Sequence, residues 1–234
     1  MKISVVMATL DADRFLRSAL DSIAKQTHLV DELVIADGGS TDQTLQIAQE
    51  YSFARIVRQS GKGLPDAWNT ALTHCKGDTI AFLDSDDMWT TDKIERQVQV
   101  LEQNQTMEAV VGHVEFFLEE GATCPRNFKP ELLRGTHAAS MPGALLIRRS
   151  AFDKVGLFDT RFPIACDIDW FARLRDLKIQ TTTLPNLLIR KRVHQSNLSL
   201  DPSFQTGYQS ELARLLFEKR RRLAAQTEAV PSHE

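Results

Sequence analysis

Residues 77–89 read Gly-Asp-Thr-Ile-Ala-Phe-Leu-Asp-Ser-Asp-Asp-Met-Trp. A short apolar run, residues 79–83, breaks without a spacer into Asp84-Ser85-Asp86-Asp87, so a buried strand delivers three carboxylates to one edge of a sheet. The same arrangement recurs toward the N-terminus. Residues 3–8 read as a strand that ends at Thr9 and Asp11, and residues 33–36 as a strand that ends in Asp37-Gly38-Gly39-Ser40. Between these two, Phe15, Leu16, Ala19, Leu20 and Ile23 fall on one helical face. A helix over residues 41–51, a strand over 55–57 and a helix with Pro65 in its first turn, running to about His74, complete the pattern. Strands alternating with helices predict an α/β fold with an open, mostly parallel sheet and flanking helices. Ligands of such sheets bind outside the carboxyl ends of the strands, so the three polar clusters are predicted to converge on one crevice.

Beyond Asp87 the rhythm loosens. A helix over 92–103, a strand over 109–117, a strand over 144–148, a helix from about Asp167 to Leu177 and a strand over 180–189 are legible. Residues 119–135 hold Gly, Pro, Cys and Asn without period and read as a loop or lid. A final amphipathic helix is predicted over 205–225. With no internal repeat and no linker, residues 1–234 read as a single domain with two functional halves.

Composition closes off several alternatives. The 234 residues allow a sizeable core, and 28 basic against 31 acidic side chains leave no global positive field for a nucleic-acid partner. Three cysteines, Cys75, Cys124 and Cys166, lack the spacing of a zinc site and read as reduced thiols in a cytoplasmic protein. The N-terminal apolar run meets acidic residues at once and reads as a first strand, not a signal peptide. No run approaches the ~18 residues of a spanning helix. Phosphate-binding loop, dinucleotide and nucleophile-elbow glycine patterns are all missing, which weighs against ATPases, dehydrogenases and α/β-hydrolases.

Each cluster admits a chemical and a plain reading. Crowded carboxylates at Asp84 and Asp86 suit a hard divalent ion, or simply turn the chain into the next helix. Asp37 can accept a hydrogen bond from a nucleobase edge, or close a tight turn. Lys62, beside two glycines and ahead of Asp66 and Asn69, meets a phosphate or stays solvated. Asp167 and Asp169 open a helix, one as a base facing the crevice, or both as exposed caps. His194 follows Arg190, Lys191 and Arg192, whose charge suggests phosphate.

Taken in order, the segments 8–27, 34–44 (VIADGGSTDQT), 61–72, 77–89, 142–159, 163–174 (PIACDIDWFARL) and His194-x-x-Asn197-x-Ser199 resemble family 2 glycosyltransferases with the GT-A fold. The bacterial polysaccharide-type members are the most similar. The resemblance implies a Rossmann-like sheet, a nucleotide-sugar half over 1–103, an acceptor and catalytic half over 104–199, and a C-terminal amphipathic helix and tail over 200–234. It implies that Thr9, Asp11, Asp37, Lys62, Asp66, Asp84 and Ser85 hold the nucleotide and its diphosphate. Asp86 and His194 fall at a metal, Mn²⁺ or Mg²⁺, and Asp167 is the catalytic base.

The activity so implied is metal-dependent, inverting transfer of one sugar, from a UDP-sugar donor to a glycan or lipid-linked acceptor. Two rivals stand beside it. A sugar nucleotidyltransferase needs a Gly- and Arg-rich loop after the first strand, and no glycine precedes Gly38. A nucleotide-sugar-binding regulatory subunit needs no Asp84, Asp86 or Asp167. The last helix joins Leu212, Leu215, Leu216 and Phe217 to Arg214, Lys219, Arg220, Arg221 and Arg222. It reads either as a packed helix with a solvated basic end or as a peripheral contact with an anionic inner membrane face.

Overall fold

The computed structural model describes residues 1–200, 207–208 and 210–215. Among the described residues nine strands form one sheet: β1 (Ile3–Thr9), β2 (Glu32–Asp37), β3 (Ala54–Arg58), β4 (Thr79–Phe82), β5 (Met88–Trp89), β6 (Ala109–Phe117), β7 (His137–Ala138), β8 (Leu146–Arg148) and β9 (Thr181–Arg192). Their order is β3-β2-β1-β4-β8-β6-β9-β5, with β7 added beside β6. The long strands run one way, and only the short β5, β7 and β8 run against them. The predicted α/β class with a mostly parallel open sheet is the observed one. Chain direction across the sheet reverses between β1 and β4, and in doubly wound sheets that switch point opens the ligand crevice.

Helices cover both faces. Along β1, Ile3, Val5 and Met7 point to one side and Val6 to the other, following the two-residue period of a strand. The first side takes α1 (Asp13–Ala24), α2 (Thr44–Gln49) and α4 (Lys93–Gln103), through Leu16, Leu20, Ile23, Ile47, Ile94, Val98 and Leu101. Lys93 is fully buried there. Its Nζ donates to Gln97 Oε1 at 2.7 Å and lies 4.3 Å from the Trp89 ring centre, and burial without a carboxylate lowers its basicity well below that of an ordinary lysine.

The second side takes α3 (Leu64–His74), α5 (Arg149–Val155) and α6 (Cys166–Asp176). Its centre is aromatic: Trp68, Phe82, Phe152, Phe158 and Trp170, with Phe152 stacked on Trp170 at 5.1 Å between ring centres. Such pairs add about 0.5–1.5 kcal/mol each beyond area burial. Asn69 clamps the backbone of Phe158 from both sides, at 2.8 and 3.0 Å, and Trp170 Nε1 donates to Gly156 O at 2.8 Å. The helix that opens with Asp167 therefore rests on a rigid platform.

Three boundaries differ from the sequence reading. The helix expected from residue 41 starts at Thr44, because Asp42 accepts the N–H groups of Thr44 and Asp13 and holds an open turn. Strand β8 passes straight into α5 with no Gly or Pro between them, so the sequence carried no sign of that helix. The last strand runs to Arg192, not 189. Arg190, Lys191 and Arg192 look like a loop by charge, yet each is neutralised by a carboxylate: Glu115, Asp87 and Glu119 respectively. Of the helix predicted over 205–225, residues 207, 208 and 210–215 are helical and the rest lies outside the described residues.

Candidate active site

Parallel pairing sets Thr9 directly opposite Asp37 at the carboxyl edge of β1 and β2. Asp37 is buried. Its Oδ2 accepts the N–H groups of Gly39 (2.8 Å) and Ser40 (3.0 Å), and its Oδ1 accepts the hydroxyls of Ser40 (2.5 Å) and Thr9 (3.3 Å). Four bonds saturate a carboxylate, so a base edge reaches Asp37 when the Ser40 or Thr9 hydroxyl turns away. Asp11 stands beside it in the left-handed region, φ 45°, and accepts the Thr41 N–H at 2.8 Å. Both acids thus shape the βα loops that floor the crevice.

On the next loop, Asp66 Oδ1 accepts the Gly61 N–H at 2.7 Å, and a Cβ at Gly61 would fall 2.5 Å from the same carboxylate. A side chain at that position would displace the Asp66 carboxylate. Lys62, between Gly61 and Gly63, is exposed.

The acidic cluster sits across the switch point. Ligand oxygens of Asp84, Asp86 and Asp87 lie within 4.8 Å of one another, with half-buried Ser85 between the first two. Lys191 Nζ lies 2.8 Å from Asp87 and 3.4 Å from Asp84. Asp87 is fully buried, and its other oxygen accepts the Arg192 N–H at 2.9 Å. His194 Nε2 lies 3.0 Å and Asn197 Nδ2 3.1 Å from Asp86 Oδ2. Arg192 Nε donates to the Asp86 carbonyl at 2.9 Å, and its guanidinium packs between the rings of Phe15 and Phe117.

Charge follows this geometry. Burial pushes the Asp87 carboxyl up to about 7, with Lys191 opposing. Burial and the charge of Asp86 also raise Asp84 against the pull of Lys191. At Asp86 burial loses to the His194 hydrogen bond and the Lys191 charge, which hold it below the ordinary carboxylate value. Burial pulls Lys191 down, and the charges of Asp87, Asp84 and Asp86 more than reverse that, so its ammonium persists.

Asp167 lies in the first turn of α6, half-buried, with Oδ1 accepting the Ile168 N–H at 2.8 Å. Burial raises its carboxyl, and the charge of Asp84 adds to the rise, so Asp167 and the acidic cluster share one field. Asp169 is different. It is 2% exposed and turned away into an ion pair with Arg173 at 2.8 Å, and Arg173 also ties down the carbonyls of Val155 and Leu157. The expectation of two exposed caps fails here, because α6 packs its second carboxylate inward against α5.

A family model described as Glycosyl transferase family 2 matches residues 4–156, which include Thr9, Asp11, Asp37, Lys62, Asp66 and Asp84 to Asp87 but not Asp167, Lys191, Arg192, His194 or Asn197. The chain belongs to glycosyl transferase family 2. An Escherichia coli relative named UDP-Glc:alpha-D-GlcNAc-diphosphoundecaprenol beta-1,3-glucosyltransferase WfgD is 36% identical over 105 residues, covering 44% of this chain and 42% of its own. An uncharacterised glycosyltransferase of Nostoc sp. is 29% identical over 230 residues, covering 89% of this chain and 70% of its own. The chain thus spans less than half the length of WfgD. Among solved structures, Staphylococcus aureus TarS 1-349 in complex with UDP-GlcNAc superposes with a TM-score of 0.65 at 20% identity, covering 84% of this chain and 60% of that one. The mannosyltransferase PcManGT of Pyrobaculum calidifontis, in complex with GDP-Man and Mn²⁺, gives 0.63 at 22%, covering 84% and 58%. The shared fold is GT-A.

In this family 2 chain β1 pairs with both β2 and β4, which sets Thr9, Asp11 and Asp37 at the same sheet edge as Asp84 and Asp86, and His194 lies against Asp86. The tertiary structure adds Asp87, Lys191, Arg192 and Asn197. Lys191 and Arg192 were read as company for a phosphate. Their partners are carboxylates, a fact visible only once β9 lies beside β6 and β5. Cys166 is a buried thiol in the aromatic platform, pushed up by burial.

Proposed function

We propose that the chain transfers one sugar, with inversion, from a nucleoside-diphosphate sugar to a glycan or lipid-linked acceptor hydroxyl in bacterial surface polysaccharide assembly. The observation that carries this reading is the meeting of Asp84, Asp86 and His194 at the β4 edge, with Asp167 in the same electrostatic field. One continuous sheet runs through 1–103 and 104–199, which supports a single domain with a donor half and an acceptor half.

A set of two carboxylates with one imidazole suits a divalent ion such as Mn²⁺ or Mg²⁺. Asp87 is withdrawn from it by Lys191 and Arg192, which leaves Asp86, with Asp84 and His194, to hold the ion. Bound there, it would act as a Lewis acid on the departing diphosphate. Asp37 and Thr9 position the base of the nucleotide, and Lys62 and Asp66 shape the loop over it. Lys191 keeps the Asp84–Asp87 pair neutralised before donor arrives. Asp167 takes the proton of the acceptor hydroxyl as the new bond forms on the face opposite the diphosphate, and that in-line geometry gives inversion.

A UDP-sugar is the donor best supported, since WfgD is named for UDP-Glc and TarS was solved with UDP-GlcNAc. No helix among the described residues is long and apolar enough to cross a membrane. Incubation with Mn²⁺ and UDP-, GDP- and dTDP-sugars tests the reading through slow donor hydrolysis. Hydrolysis of UDP-sugars alone is expected, and binding without hydrolysis of any donor would favour a regulatory subunit.

A further inference from the structure

The helical residues near the C-terminus touch the segment that leads into α6. Glu211, 8% exposed, places Oε2 3.1 Å from the Ile164 N and 2.9 Å from the Ala165 N, accepting both hydrogens. Ala165 is the cap residue of α6, which has no side-chain cap of its own, and Asp167 follows two residues later. The contact is packed as well as hydrogen-bonded. Leu215 and Leu212 join the aromatic platform with Phe162, Ala165, Cys166 and Trp170. The Arg214 guanidinium lies 5.4 Å from the Phe162 ring centre, and a Cβ at Gly207 would press Ile164 Cδ1 at 2.8 Å. Tyr208 is close enough for the Asp167 charge to add to burial in raising its phenol.

We propose that Glu211 is a positioning residue for Asp167: it fixes the backbone of residues 164–165 and so sets where the base stands over the crevice. The inference rests on Asp167 being the base. Two N–H groups without acceptors would otherwise sit at a packed helix entrance, each with the desolvation cost of an unsatisfied donor. A negative group at a helix N-terminus is also favoured by the macrodipole. Displacement of a reacting group by ~1 Å costs on the order of 10²-fold in rate, which makes the entrance of α6 a sensitive place. This gives the terminal helix a task in catalysis that does not depend on membrane contact. Its apolar residues Leu212 and Leu215 are already spent on the protein interior.

The test uses the full chain with Mn²⁺ and UDP-sugar. Glu211→Ala is expected to lower kcat on the order of 10–100-fold with UDP affinity unchanged by calorimetry. Glu211→Gln, whose amide oxygen still accepts both N–H groups, is expected to restore most of it. In an Asp167→Asn background, Glu211→Ala should cost no further activity, because the group it positions has lost its base. If Glu211→Ala fails to fold, Glu211→Asp, which withdraws the oxygens by one methylene, should show the same loss in kcat alone. Wild-type kcat in Glu211→Ala or Glu211→Asp, or an additive loss in the double variant, overturns the proposal while leaving Asp167 as base. Wild-type turnover by Asp167→Asn instead removes the base itself.

Discussion

Two carboxylates in one helical turn, Asp167 and Asp169, are predicted to fail in opposite ways when each becomes asparagine. Asp167→Asn keeps the shape of the side chain and cannot take a proton. General-base removal costs on the order of 10²–10⁴-fold, or about 2.8–5.6 kcal/mol in the barrier at about 1.4 kcal/mol per tenfold. Because burial raises the Asp167 carboxyl, the folded state binds more protons than the unfolded state from the ordinary value up to the raised one. Stability therefore falls as pH rises through that window, and the neutral amide removes the penalty. Asp167→Asn is expected to melt at or above the wild-type temperature.

Asp169→Asn breaks a buried ion pair whose side chains are 3% and 18% exposed. Removing one partner of such a pair costs about 3–5 kcal/mol, and the lower end applies because the amide oxygen still accepts from Arg173. For a chain of this size about 3 kcal/mol corresponds to roughly 6–12 °C in Tm. Turnover of the folded fraction should stay near wild type. Thermal melts and donor turnover on both variants check the pair together. Equal Tm loss in both, or equal kcat loss in both at matched folded fraction, would refute the division into a base and a structural acid.

Asp86→Asn is expected to abolish Mn²⁺-dependent UDP binding in calorimetry and to lower the melt slightly while leaving the fold intact, since His194 and Lys191 hold the Asp86 carboxyl below its ordinary value and its charge is therefore net stabilising. Lys191→Met leaves fully buried Asp87 without its cation and is expected to destabilise the chain by about 3–5 kcal/mol in urea unfolding. The pH profile of kcat should carry an acid limb above the ordinary aspartate range. The base works only when ionised, and burial with the Asp84 charge raises the pH at which ionisation occurs; a limb at or below that range would remove Asp167 as the titrating group. Trp170→Ala is expected to cost about 3–5 kcal/mol, because the platform under α6 cannot close the cavity, and a loss under 1 kcal/mol by denaturant titration would contradict that packing.

Much of this protein was legible in the chain. The βα alternation, the strand-end acids and the order of the motifs predicted a parallel sheet with Thr9, Asp37, Asp84 and Asp86 at one edge, because local periodicity and turn chemistry are short-range properties. Tertiary structure alone decided which carboxylates are free. Asp167 and Asp169 are indistinguishable by spacing; one stays half-buried within the field of Asp84 and the other meets Arg173, a choice made by how α6 packs on α5. Lys191 and Arg192 read as company for a phosphate until β9, about a hundred residues after Asp87, is laid beside it. Glu211 carried no sequence signal, since its partners are the backbone N–H groups of Ile164 and Ala165, and every residue but proline offers one.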